Sequence, residues 1–188
     1  LIDGLSKKEF ILSKFLVVAS FAVASTIFVF IMSLILGYSF SSYNELSIVF
    51  TDLEYLFAFF IKLFAFFSFC LFLGILVKRS AFALGFLFVW FVAENIIYWI
   101  IKFVILGGDD KHKNFGDTII QFFPMESMGN LIKEPFTRLS AIKTIETTIG
   151  GAKVAKDYSV HFSEISIALL WAFIFILTSY YILKKRDL

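Results

Sequence analysis

The chain has 188 residues, of which 60% are hydrophobic and 20% are aromatic, and its formal net charge is +2. Soluble domains average about 45–50% apolar residues, so this composition excludes an ordinary soluble protein. The small net charge indicates no nucleic-acid partner. The chain has one cysteine, Cys70, so no disulfide can form within it, and we expect this thiol to fill apolar space.

Four apolar stretches determine the predicted fold: residues 15–36, 55–77, 81–106 and 162–183. A helix needs roughly 20 apolar residues to cross the hydrocarbon core, and each stretch is long enough to do so. We therefore predict an all-α, polytopic membrane helix bundle with four transmembrane spans. One transmembrane domain is expected over residues 1–188, with a large extracytoplasmic loop, 107–161, before the last span. Because the chain starts at Leu1, we expect further sequence upstream.

Basic residues stand before the first span, between the second and third, and after the fourth. They are Lys7, Lys8, Lys14, Lys78, Arg79, Lys184, Lys185 and Arg186. Residues 37–54, between the first two spans, contain no lysine or arginine. Because short cytoplasmic segments are enriched in these residues, both chain ends are predicted to be cytoplasmic. Residues 37–54 and 107–161 then face outside.

The start of the first membrane helix carries a local signal. Ser6, followed three residues later by Glu9, fits the capping-box pattern, in which each side chain bonds the backbone N–H of the other residue. We therefore expect the helix to begin near Lys7, before the apolar stretch, and to continue into the membrane.

The loop 107–161 mixes apolar residues with helix breakers. Apolar residues recur at a helical spacing over 137–149, which predicts a helix there. Two interpretations of the loop stay open. It forms either an interfacial helix with a re-entrant or lid-like element at the outer mouth, or a small folded cap with a modest core.

The sequence contains no motif of a soluble enzyme. It has no glycine-rich loop ending in Gly-Lys-Ser or Gly-Lys-Thr, no His-Glu-x-x-His and no Gly-x-Ser-x-Gly. His112 and His161 lie in or beside the outer loop, but no carboxylate–histidine spacing accompanies them. We expect no metal, no cofactor and no catalytic residue in this chain.

Two ionisable residues fall inside predicted spans, Lys62 in the second and Glu94 in the third. A charge at membrane depth costs at least about 2.5 kcal/mol on insertion scales, so such residues usually face protein or a water-filled cavity. Lys62 and Glu94 lie roughly 10 Å and roughly 15–18 Å below the outer ends of their spans, so an ion pair between them is feasible. Either Glu94, with Asn95 beside it, lines a translocation path or forms a conformational latch, or the pair is structural and fixes helix register.

Three segments together carry a family resemblance. The first reads Ile-Asp-Gly-Leu-Ser-Lys-Lys-Glu-Phe-Ile-Leu-Ser-Lys at 2–14. The second reads Phe-Pro-Met-Glu-Ser at 123–127, followed by Asn-Leu-Ile at 130–132 and Pro-Phe at 135–136. The third reads Ser-Tyr-Tyr-Ile-Leu-Lys-Lys-Arg-Asp-Leu at 179–188. In this order they resemble the membrane subunit of a type-2 ATP-binding-cassette (ABC) exporter, a family of bacterial permeases.

The resemblance implies that transport needs several subunits. In that family a permease of six spans works with a separate cytoplasmic ATP-binding subunit, and this chain would supply the last four spans. Residues 1–14 would be the cytoplasmic end of the coupling region. The implied ATPase contact comprises Asp3, Gly4, Leu5, Ser6, Lys7, Lys8 and Phe10, although the positive-inside rule alone also explains the two lysines. A second permease copy, identical or related, and membrane lipid would be the other partners.

The resemblance thus implies a permease that exports a substrate across the inner (plasma) membrane while a partner hydrolyses ATP. The residues alone leave three other functions open. A secondary transporter or channel would use Glu94 and Lys62 for ion coupling. A membrane enzyme would need a catalytic constellation near a membrane face, and a structural subunit would belong to a larger machine. The Phe-rich spans fit a hydrophobic drug or lipid as substrate, and fit simple lipid contact equally well.

Overall fold

The computed structural model describes residues 6–40, 53–77, 79–101, 103, 119–132 and 159–185. These residues form α-helices and no strand, which confirms the predicted all-α fold. In chain order the helices are α1 (Lys7–Phe40), α2 (Leu53–Val77), α3 (Ser80–Ile100), α4 (Pro124–Asn130) and α5 (Phe162–Lys185). All but the short α4 are long and apolar enough to cross a membrane, as the four apolar stretches predict.

Helix α1 begins at the residue that the Ser6–Glu9 pattern predicts. The Ser6 backbone N–H donates to Glu9 Oε2 at 2.8 Å, and the Glu9 N–H donates to Ser6 Oγ at 3.2 Å. This reciprocal pair is the predicted capping box, and it fixes the first helical residue at Lys7. The helix then continues for 34 residues, which is about 51 Å and longer than the predicted span.

Helix α2 is the centre of the bundle. It makes its most extensive contact with α5 and also packs against α1 and α3. Its buried residues are Ala58, Ile61, Ala65, Ser68, Phe69 and Leu73. Ala65 meets Ala172 of α5 in one cluster, and Ala58 meets Ala168 in another. Small residues at both positions let the two backbones approach closely, which is how helices associate in lipid.

Aromatic rings bind three helices together at mid-depth. The Phe69 ring of α2 lies 4.8 Å from that of Phe175 on α5 and 5.6 Å from that of Trp90 on α3, centroid to centroid. Trp171 stacks on Phe175 at 5.5 Å. Such pairs contribute about 0.5–1.5 kcal/mol each beyond their buried area, so this cluster holds the middle of α3 against α2 and α5.

The start of α1 and the end of α5 lie at the same end of the bundle. Ile11 and Phe15 of α1 form a buried cluster with Leu183 of α5, and Leu71 of α2 packs against it. We call this the terminal end, and the opposite one the distal end. Helices α1 and α3 therefore run from the terminal to the distal end, and α2 and α5 run back.

The short helix α4 lies within the bundle and not beyond its distal end. Its Met128 is buried with Ala65 and Ala172 near the midpoints of α2 and α5, whereas the following Leu131 is buried closer to their distal starts. Helix α4 therefore begins deep and rises toward the distal end. This is a re-entrant element of the kind that one interpretation of the loop proposes. The predicted helix over 137–149 lies outside the described residues.

Candidate functional site

One face of α3 points Glu94 into the bundle. Ala83, Leu87 and Trp90 are half-buried on the same face and pack against the core cluster of α2 and α5. Trp90 and Glu94 are four residues apart, so their side chains meet on the helix surface. The Trp90 indole Nε1–H donates to Glu94 Oε1 at 2.6 Å. The carboxylate is thus oriented by its own helix before it contacts any other.

The Glu94 carboxylate caps the N-terminus of α4. The Met125 backbone N–H donates to Glu94 Oε2 at 3.1 Å and to Oε1 at 3.3 Å. The residue at the N-cap position, Phe123, offers no side-chain cap, and Pro124 at the first helical position has no N–H. Met125 is therefore the first donor that α4 leaves unsatisfied. Glu94 supplies from α3 the acceptor that a local Ser or Asp usually supplies.

Lys62 binds the opposite end of the same short helix. Its Nζ donates to the Gly129 carbonyl oxygen in the last turn of α4, at 3.4 Å. This bond is longer than the usual 2.7–3.2 Å range, so it is weaker than the cap at the other end. Cations are stabilised near a helix C-terminus and anions near its N-terminus, and the two residues follow that rule.

Lys62 and Glu94 do not form the ion pair that their positions in the sequence make feasible. Each charge takes a helix terminus as its partner, at opposite ends of α4. The physical reason is that exposed backbone groups inside a membrane need partners as much as charged side chains do. Contacts with a helix end contribute up to about 2 kcal/mol in partly buried geometries, which offsets part of the insertion penalty of each charge.

A third anchor comes from α5. The Trp171 indole Nε1–H donates at 2.8 Å to the carbonyl oxygen of Phe122, just before α4. Trp171 lies nine residues after Phe162, the first residue of α5, which is about 14 Å along the helix. Glu94, Lys62 and Trp171 belong to three different long helices, and each bonds α4 or the segment just before it. We call these three residues the α4 clamp.

A cavity of about 330 Å³ lies between α3 and α4. Its walls are Phe91, Glu94, Asn95, Tyr98, Ile120, Phe123, Met125, Glu126 and Gly129. The Asn95 amide Nδ2 donates to the Phe91 carbonyl of its own helix at 2.8 Å, so Asn95 adds no bond to the α4 clamp. The predicted intramembrane polar residues are thus brought to one place, around α4, but with separate roles.

The residues predicted to contact an ATPase lie at the terminal end as far as the structure describes them. Ser6 and Lys8 are exposed, Lys7 is half-buried, and Phe10 packs against the cluster of Ile11. Asp3, Gly4 and Leu5 lie outside the described residues. The surface they border lies at the terminal end, whereas the α4 clamp lies in the distal half of the bundle.

One of the two histidines lies in the described part of the chain. His112 lies outside it, and His161 stands next to Ser159, with 3.4 Å between Nε2 and the Ser159 hydroxyl oxygen. The described residues contain no group of three or more His, Cys, Asp or Glu side chains that could hold a metal ion.

Sequence reasoning missed Trp171 and Gly129 as site residues. A signal for Trp171 existed, since a tryptophan in the middle of a span carries an N–H that needs a partner when buried. No comparable signal marks Gly129, because it contributes only its backbone carbonyl.

In the described part of the chain, four helices that are fit to cross a membrane, together with a re-entrant helix held by intramembrane charges, define a multi-pass membrane protein. A family model described as ABC-2 family transporter protein matches residues 5–188. The chain belongs to this family, and it is a membrane permease subunit of an ABC transporter, a class that associates with an ATP-binding subunit. Searches of curated proteins and of solved structures found no match.

Proposed function

We propose that this permease exports its substrate across the inner membrane and that a separate cytoplasmic chain hydrolyses the ATP that drives it. The observation that carries the proposal is the family match over residues 5–188. The position of the basic residues supports the orientation. Lys7, Lys8, Lys184 and Lys185 all lie at the terminal end, which the positive-inside rule assigns to the cytoplasm.

The proposed ATPase contact comprises Asp3, Gly4, Leu5, Ser6, Lys7, Lys8 and Phe10. Two structural features support it. Helix α1 is continuous from Lys7 to Phe40, so a push at its capped start is transmitted along a rigid rod. Ile11 and Phe15 tie that start to Leu183 of α5, so the same push reaches the core pair of α2 and α5.

The proposed second permease copy and the surrounding lipid would cover α1 and α3. Both helices expose large apolar side chains, including Phe28 at 64%, Leu84 at 71% and Phe88 at 65%. Apolar patches of this extent do not face water in a monomeric soluble protein. They are the expected surface of a helix that meets acyl chains or another membrane helix.

Ion coupling through Glu94 and Lys62 is less well supported by the geometry. A secondary transporter would need these charges to bind a cargo ion at some stage. Both oxygens of Glu94 accept from Met125, and Lys62 donates to Gly129. The two charges hold an internal helix, and this arrangement favours the ATP-driven permease.

Co-purification tests the proposed function. The full-length protein, extracted in mild detergent, is expected to bring down a stoichiometric ATPase that carries the glycine-rich nucleotide-binding loop. The double variant Lys7→Ala/Lys8→Ala should lower the yield of that ATPase. The matched variant Lys184→Ala/Lys185→Ala removes the same charge from the same end and should leave the yield unchanged. A well-folded permease that purifies without any ATPase would contradict the proposal.

A further inference from the structure

Helix α4 packs on α2 and α5 through its apolar face. Its buried residues are Pro124, Ser127 and Met128, and Leu131 is buried directly after it. Met128 and Leu131 belong to the two clusters that also join α2 to α5. Helices α2, α4 and α5 therefore form one packed unit.

The first half of α3 packs against the core cluster of this unit through Ala83, Leu87 and Trp90, but its distal half, from Glu94 onward, is attached in a different way. None of the α3 residues 81–100 is buried, and the link of α3 to the α4 backbone is the Glu94 carboxylate. The cavity of about 330 Å³ separates the neighbouring part of α3, around Asn95, from the end of α4 at Gly129. Beyond Trp90, one polar contact thus links α3 to the α4 backbone, and the cavity lies beside that contact.

The contact between Glu94 and Met125 can break without leaving the Glu94 carboxylate without a hydrogen-bond donor. The two Met125 bonds, at 3.1 and 3.3 Å, are at the long end for N–H···O bonds. The Trp90 bond to Glu94, at 2.6 Å, lies within α3 and travels with it. After separation Glu94 keeps its Trp90 donor, and water entering the cavity can serve the Met125 N–H.

We propose that Glu94 is a latch between the distal half of α3 and the packed unit of α2, α4 and α5, closed when it caps Met125 and open when that half of α3 parts from α4 during transport. This inference rests on the proposed function, because the ATPase partner supplies the movement. The latch is a two-state element of the kind that switching proteins use. The other two clamp residues, Lys62 and Trp171, keep their bonds to Gly129 and Phe122 in both states. They join α4 to α2 and α5, the helices with which it moves.

Two cysteine pairs test the latch in the full-length permease with its ATPase, in a Cys70→Ala background. The first pair, Asn95→Cys/Gly129→Cys, spans the cavity between α3 and α4. A Cβ added at Gly129 meets no heavy atom within 4 Å, and neither change removes a latch atom. The control pair, Ile132→Cys/Ile165→Cys, joins residues that pack against one cluster within the unit.

A short bifunctional thiol reagent is applied without nucleotide and after trapping with ATP and vanadate. We expect the yield of the first pair to fall about tenfold on trapping, since a minor state in such an equilibrium holds about 10% or less. The yield of the control pair should not change. Equal yields in both states for the first pair, or a parallel fall in both pairs, would overturn the proposal.

A nucleotide-free arm separates the latch from the proposed function. Glu94→Gln should lower the yield of the first pair, because the amide keeps one acceptor. Glu94→Ala should lower that yield further, because alanine keeps none. Glu54→Gln, which makes the same change at an exposed carboxylate in the first turn of α2, should have no effect. An unchanged yield in either folded Glu94 variant contradicts the latch. Failure to recover an ATPase contradicts only the proposed function, because this arm needs none.

Discussion

At the residue scale, Glu94 shows how a carboxylate is accommodated inside a membrane protein. Its oxygens accept from the Trp90 indole and from the Met125 backbone. The first donor fixes the rotamer and the second completes a helix that begins with proline. The Glu94 carboxylate therefore satisfies a backbone donor of α4, and that donor in turn stabilises the charge.

Substitution of Glu94 should destabilise the protein in proportion to the acceptors it removes. Glu94→Ala leaves the Met125 N–H and the Trp90 indole unsatisfied, and we expect a loss of about 1–3 kcal/mol, the usual penalty for a stranded buried group. Glu94→Gln keeps one oxygen and should lose less. The melting temperature in detergent measures both variants, with Glu54→Gln, at an exposed carboxylate of α2, as the control. Equal melting temperatures for all three variants would contradict the capping role.

The two helix caps differ in how far apart their partners lie in the sequence, and this difference decides which cap the sequence predicts. The Ser6–Glu9 cap joins residues three apart, so the sequence pattern alone predicts it. The Glu94 cap joins residues 31 apart on different helices. An ion pair between Glu94 and Lys62 takes account of the two side-chain charges alone. The ends of α4 also carry partial charges, and no local sequence pattern shows where those ends lie in the bundle.

At the element scale, the contact between α2 and α5 organises the bundle. Ala58 and Ala65 face Ala168 and Ala172 across it, and Phe69 and Phe175 fill the space between. The apolar stretches predict that these helices exist, because length and hydropathy are local properties. Which faces meet depends on small residues from distant parts of the chain, so the pairing emerges only in the structure.

Enlarging a small residue at that contact should disrupt it. Ala172 is 1% exposed, so Ala172→Leu forces extra methyl groups between packed backbones, and we expect a loss of about 1–3 kcal/mol. Ala93 is exposed on α3, and Ala93→Leu adds the same atoms where space is open. Thermal unfolding in detergent compares the two. A melting temperature for Ala172→Leu as high as that for Ala93→Leu would show that the contact is not tightly packed.

At the scale of the whole molecule, we propose that the two ends of the bundle have different tasks. The terminal end brings together the start of α1 and the end of α5 with their lysines. The distal half holds α4 and its clamp. The proposed coupling connects them, since α1 transmits a push to the α2–α5 core, and that core carries α4 relative to α3.

The coupling between the two ends requires that the terminal end face the cytoplasm, and cysteine accessibility measures that orientation. In a Cys70→Ala background, Ser6→Cys and Lys185→Cys mark the terminal end, and Leu53→Cys marks the distal start of α2. We predict that a membrane-impermeant thiol reagent labels only Leu53→Cys in intact spheroplasts and labels only the other two in inverted vesicles. Labelling of Ser6→Cys or Lys185→Cys from outside would place the terminal end away from any cytoplasmic ATPase and contradict the account.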